Sequence, residues 1–321
     1  MITNIQVLRA VAAILVVFLH TILAAQSYHF SVPFLEDRNQ WYGTGVDIFF
    51  IISGFIIVYI QNNKETSPKS FLLERIQRIV PLYWLLTISF SLLLFLFPQM
   101  FREIKFSISL LLKSLFFINF LSENYPLLYV GWTLEYEMLF YIIFSFSLLL
   151  KSKFNPLLIC TIIFLVLIYL GMDSIILEFL YGMGIAYLYN HVSVKFKNIY
   201  LYTLLLLGCV SLIMNWDTNL PRFLLWGLPS LAIFIAFLYL PPIKNKSIIT
   251  IGNSSYAIYL VQIFSIPLFY KILSKFSIMT NYYINFSFIC VCILFTIVSG
   301  IVIHYIIEKP MLKVIRAKKV L

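Results

Sequence analysis

Apolar runs of about 20 residues, divided by short polar joints, follow one another along the chain, and that length matches a helix crossing a hydrocarbon core. They predict an all-α, polytopic integral membrane protein. In order, the runs fall at roughly 5–25, 44–60, 79–97, 132–150, 154–170, 174–190, 199–215, 222–240, 252–270 and 281–307, or about ten spans. The joints leave no room for a soluble domain, so residues 1–321 are expected to form one membrane domain. The stretch 98–131 is the exception. Its apolar part, FSISLLLKSLFFINFL, carries Lys113 and is short for a crossing, so it is read as a helix lying at or dipping into the outer face.

Composition agrees with the pattern: 62% of the 321 residues are hydrophobic and 11% charged, too little polar surface for a soluble globule of this size. The formal charge of +10 becomes informative once it is distributed over the joints. With the N-terminus inside, the cytoplasmic side receives Arg9, Lys64, Lys69, Arg75, Arg78, Lys151, Lys153, Lys195, Lys197, Lys244, Lys246, Lys309, Lys313, Arg316, Lys318 and Lys319. The outer side receives only Arg38, Arg102, Lys105, Lys113, Arg222, Lys271 and Lys275. This bias predicts cytoplasmic N- and C-termini and an attraction to anionic membrane lipids, and it gives no pointer to nucleic acid. The first run lacks a small-residue cleavage pattern and is read as a retained helix. Cys160, Cys209, Cys290 and Cys292 all sit in apolar runs and read as core packing. No cluster has metal-ligand spacing, so no metal is expected.

Ionisable residues inside spans are costly and therefore mark sites or buried partners. Arg9 and His20 both lie in the first span. Eleven residues of helix advance ~16 Å and end ~20° from a whole number of turns, so the two side chains share nearly one face at different depths. Counting inward from the span ends places His20, Asp47, Glu137 and Glu178 within roughly 10 Å of the outer boundary, and Arg9, Arg75 and Arg78 at the inner one. An inner arginine layer suits an anionic donor such as a nucleotide or coenzyme. A histidine beside carboxylates suits proton transfer from a hydroxyl, with Asp47 or Glu137 orienting the ring. Acyl transfer to an alcohol uses that pairing. Each residue also has a plainer reading: Arg9 as a snorkelling side chain, Arg75 and Arg78 as ordinary cytoplasmic charges, Glu178 as a helix-start acid. Ser53 and Gly54 would permit close helix approach. Trp132, Tyr136 and Tyr141 form either an interfacial belt or a sugar-stacking platform.

Arg9 and His20 are followed by GVDIFFIISGFII at 45–57, RIQRIVPLYW at 75–84, WTLEYEMLFY at 132–141, EFLYG at 178–182, SSYAIYL at 254–260 and EKP at 308–310. In this order the motifs resemble the family-3 membrane acyltransferases, bacterial proteins that O-acylate O-antigen, exopolysaccharide and related glycans, and the form at 132–141 is most similar to the exopolysaccharide acetyltransferase branch. The resemblance implies essential roles for Arg9 and His20. It also implies functional parts for Asp47, Arg75, Arg78 and for Glu137, which lies five residues after the tryptophan, rather than for Glu135. Two residues apart on a helix is ~200° of rotation, so those two glutamates cannot share a face. The chain departs from the family at Gln262, where the ninth-span pattern often has His.

The expected activity is transfer of acetyl from acetyl-CoA to a polysaccharide or lipid-linked glycan at the bacterial cytoplasmic membrane. Arg9, Arg75 and Arg78 would hold the donor, and His20 would act as base or transient acyl carrier with Glu137 and Asp47. Trp132, Tyr136 and Glu178 would meet the acceptor. Some members carry an extracytoplasmic domain that passes the group on; without one, this membrane domain is expected to serve its acceptor directly. Two rival readings are a glycan-lipid flippase and a non-catalytic component of a polysaccharide synthesis complex, and a homo-oligomer fits any of the three.

Overall fold

In a computed structural model the described residues are 2–30, 32–36, 41–100, 106–122, 124–150, 155–192, 196–214, 220–276 and 281–317. Arg38, Arg102, Lys105, Lys151, Lys153, Lys195, Lys318 and Lys319 of the charge comparison lie outside them. Among the described residues the regular structure is helical. The helices are α1 (Thr3–Ser27), α2 (Pro33–Glu36), α3 (Gly45–Asn63), α4 (Pro68–Leu96), α5 (Ile108–Leu115), α6 (Trp132–Leu149) and α7 (Pro156–Tyr169). They continue with α8 (Leu177–His191), α9 (Asn198–Ile213), α10 (Leu228–Tyr239), α11 (Lys246–Asn253), α12 (Ser255–Leu273), α13 (Tyr282–Ile303) and α14 (Lys309–Ala317). A π-helical turn, Phe223–Gly227, leads into α10, and another, His304–Glu308, joins α13 to α14.

Every one of the ten anticipated runs has its helix, and among the described residues six helical stretches are long and apolar enough to cross a membrane. The protein is therefore polytopic. The third run starts earlier than expected: α4 begins at Pro68, with Ser67 capping Ser70 N at 3.2 Å, and proceeds through Pro81. Proline suits the first helical turn, where its missing N–H costs nothing. Arg75 and Arg78 consequently stand on the helix itself and not in a joint. Among the described residues of 98–131 the longest helix is α5, whose eight residues reach only ~12 Å, too short for a crossing. It is tied back to the bundle where Trp84 Nε1 donates to Leu115 O at 2.8 Å and where Phe117 stacks on Tyr83.

The bundle is organised around α1, which packs against α3, α11, α12 and α13. The crossing of α3 and α8 is tightest. A Cβ on Gly54 would lie 2.0 Å from Phe179 O, and one on Gly182 would lie 1.9 Å from Ile51 O, so both positions require glycine for the backbones to meet. Outward faces are apolar as well: Leu294, Val298 and Val302, one turn apart along α13, are exposed, as lipid contact requires.

Candidate active site

A cavity of about 780 Å³, including its open mouth, lies between α1, α3, α4, α6 and α12. It collects Arg9, Arg75, Arg78, Ser53, Glu137 and Tyr141, together with Thr133, Tyr256 and Tyr259. Arg9 and Arg75 are each only 8% exposed, so they cannot be read as side chains snorkelling freely to headgroups. The Arg75 guanidinium lies over the rings of Phe71, at 5.3 Å, and Tyr141, at 5.9 Å. Its Nε is buried without an acceptor. Among the described residues Glu137 is the only carboxylate lining the cavity, and it accepts from Ser53 Oγ at 2.7 Å and from the Tyr141 hydroxyl.

This corrects the two-layer reading. Glu137 belongs with the arginines and not with the acidic layer, and Tyr141 sits beside it in the cavity rather than in an interfacial belt; a span-end count fixes depth only to a few residues and says nothing of tilt or of neighbouring helices. The distinction between the two glutamates holds. Glu135 turns the other way and accepts from Asn119 N (3.1 Å), Asn119 Nδ2 (2.8 Å) and Phe120 N (2.9 Å), fastening the segment after α5 to α6.

His20 is half-buried and does not line the cavity. Neither Asp47 nor Glu137 orients it. Its Nδ1 is 3.0 Å from Oε1 of Gln262, whose Nε2 donates to Tyr259 O at 2.8 Å, and its ring meets Tyr129 edge-on with centroids 5.0 Å apart. Tyr259 links the two levels: its ring lines the cavity, its hydroxyl bonds to Thr133 Oγ1 (2.6 Å) and Val130 O (2.7 Å), and its carbonyl fixes Gln262. Arg9 and His20 thus both face α12, one at the level of Tyr256 and Tyr259 and the other at Gln262.

Asp47 is fully buried and forms a two-bond pair with Arg222, through Nε (3.1 Å) and Nη2 (2.8 Å). The guanidinium also covers Trp226, 4.6 Å from the ring centroid. The acid that was expected to serve His20 is thus paired with a cation, Arg222. Glu178 is fully buried in the same cluster, its carboxyl within hydrogen-bond reach of Asp47 and near Arg222. Trp132 and Tyr136 pack edge to face, half-buried and away from the cavity lining.

Sequence reasoning left several of these partners unassigned. Tyr141 is one turn beyond Glu137, a spacing that could have paired them. His304 and Glu308 have the same spacing and bond at 2.7 Å within the second π turn; Glu308 is within electrostatic reach of Arg9 and Tyr256. Gln262 stood out only as the departure from the family pattern and Arg222 as one of the charges in the joints; neither had a local signal for its partner, which each meets through tertiary packing.

The fold and site together define a multi-pass membrane protein with a cation-lined internal cavity. The acyltransferase domain family matches residues 2–305, and the chain belongs to this family of membrane acyltransferases, the family-3 acyltransferases. The exopolysaccharide production protein ExoZ of Rhizobium meliloti (strain 1021) is 40% identical over 117 residues, which is 35% of this chain and 36% of that protein. The matched region thus spans about a third of that relative's length. No solved structure matches.

Proposed function

We propose that the protein is an O-acyltransferase that moves acetyl from cytoplasmic acetyl-CoA to a hydroxyl of a cell-surface or lipid-linked polysaccharide at the bacterial cytoplasmic membrane. Residues 1–321 act as a single membrane domain with ten spans and both termini in the cytoplasm. The observation that carries this reading is the charge of the cavity: Arg9, Arg75 and Arg78 face one carboxylate, Glu137, and Arg75 Nε is a buried donor without an acceptor. A phosphate-bearing donor supplies the missing acceptors, and guanidinium forks match phosphate oxygens. The partial likeness to an exopolysaccharide production protein supports a polysaccharide acceptor.

In the proposed step the His20 imidazole removes the proton of the acceptor hydroxyl as its oxygen attacks the thioester carbonyl. The new C–O bond forms, the C–S bond breaks, and the proton held by the imidazole passes to the departing thiolate, leaving an ester and free coenzyme thiol. Glu137 holds the arginine wall in place through Ser53 and Tyr141. Asp47 acts through Arg222, fixing the outer end of α3 against α10, and Glu178 belongs to that support. Trp132 and Tyr136 border the acceptor side.

Mass spectrometry of surface polysaccharide from cells with the protein, without it, and with Arg75→Ala tests the proposal. Ester-linked acetyl should be lost in the last two while the polymer persists. Unchanged acetylation without the protein overturns the proposal, and loss of the whole polymer indicates export.

A further inference from the structure

We infer that Gln262 is a positioning residue that holds His20 in the tautomer protonated on Nδ1, leaving the Nε2 lone pair free to accept a proton. This deepens the proposed function and rests on its assignment of His20 as the base. The argument starts at a backbone carbonyl. Tyr259 O can only accept, so the Gln262 atom 2.8 Å away must be the amide nitrogen, and the other amide atom, facing His20, must be the oxygen. An amide oxygen also only accepts. Nδ1, 3.0 Å from it, must therefore carry the ring proton. In a neutral imidazole the proton is then absent from Nε2.

Burial makes the arrangement stiff. Gln262 is fully buried, its carbonyl anchor belongs to a residue whose hydroxyl is itself bonded at Thr133 and Val130, and the edge of Tyr129 limits ring rotation. Rotating the amide would set two oxygens against each other at 2.8 Å, a contact with no proton to bridge it. A neutral amide thereby does the orienting that a carboxylate does in a Ser-His-Asp triad, without adding a charge to an apolar span.

The test is ¹⁵N NMR of ring-labelled histidine in the full-length protein in detergent micelles or nanodiscs, with His20 identified among the four histidines by subtraction of the His20→Ala spectrum. The expected result is a protonated Nδ1 and an unprotonated Nε2. Gln262→Leu, which removes the acceptor, should move the proton toward Nε2 and lower kcat about 10- to 100-fold with the donor KM unchanged. Gln262→Glu, in its protonated form, donates to the Tyr259 carbonyl and keeps an acceptor oxygen toward His20, so it should retain the tautomer. Wild-type His20 protonated on Nε2, or an unaltered tautomer in Gln262→Leu, overturns the inference; should Gln262→Leu fail to fold, the wild-type spectrum alone decides. Full transfer by His20→Ala would instead remove the proposed base and leave the tautomer assignment standing.

Discussion

Asp47 grips Arg222 with both carboxylate oxygens, Oδ1 to Nε at 3.1 Å and Oδ2 to Nη2 at 2.8 Å, joining α3 to the turn that begins α10. The partners are unequal, for Asp47 is sealed from solvent while the Arg222 side chain is 27% exposed. Removing one member of a buried pair costs about 3–5 kcal/mol because the other charge is stranded. Arg222→Ala strands the Asp47 carboxylate beside Glu178 and should approach that cost. Asp47→Ala should lose less, since Arg222 can take water and turn to Glu178. Thermal melts of the purified variants check the order, and an equal or reversed loss contradicts it.

Glu135 and Glu137 should separate stability from activity. Glu135→Ala removes the acceptor of three N–H groups and should cost about 2–4 kcal/mol, with faster proteolysis of the 116–122 segment. Glu137→Gln keeps an oxygen for Ser53 and Tyr141 but removes the negative charge facing Arg9, Arg75 and Arg78, so its melting temperature should hold while kcat falls on the order of 10-fold as the arginine wall shifts.

Arg75→Ala should raise the donor KM about 10- to 100-fold, the equivalent of one charge-assisted hydrogen bond, and leave the acceptor KM unaltered. Arg75→Lys should recover little, because lysine lacks the fork and the planar face that lies over Phe71 and Tyr141. Donor binding that survives both changes would remove Arg75 from the donor site.

Gly182→Ala places a methyl 1.9 Å from Ile51 O and should reduce the yield of folded protein, at a cost of at least about 1–3 kcal/mol. Gly184→Ala is the control: nothing lies within 4 Å of its Cβ, and alanine favours a helix by about 1 kcal/mol. Fluorescence-detected size-exclusion profiles of the two variants distinguish a packing requirement from general intolerance of substitution in α8.

What the sequence disclosed was whatever depends on neighbours along one helix. Run length gave the ten helical segments, the eleven-residue spacing put Arg9 and His20 toward the same partner helix, and the 200° step separated Glu135 from Glu137. Helix partners were beyond its reach. Gln262 meets His20 across 242 positions and Arg222 meets Asp47 across 175, and neither residue stands in a pattern that selects its mate. The start of α4 was missed for a related reason, because Pro81 and two arginines look like a joint until the surrounding helices cover them.

The central claim is that His20 performs chemistry on a donor held by the arginine cavity. Its most direct test uses purified protein in proteoliposomes with labelled acetyl-CoA on the cytoplasmic-loop side and a glycan acceptor on the other, comparing wild type with His20→Ala. The account predicts that donor binding is equal in the two while acetyl ester on the glycan, and any acetyl–enzyme adduct, forms only with wild type. Ester formed at the same rate by His20→Ala, with the donor bound as before, would contradict it.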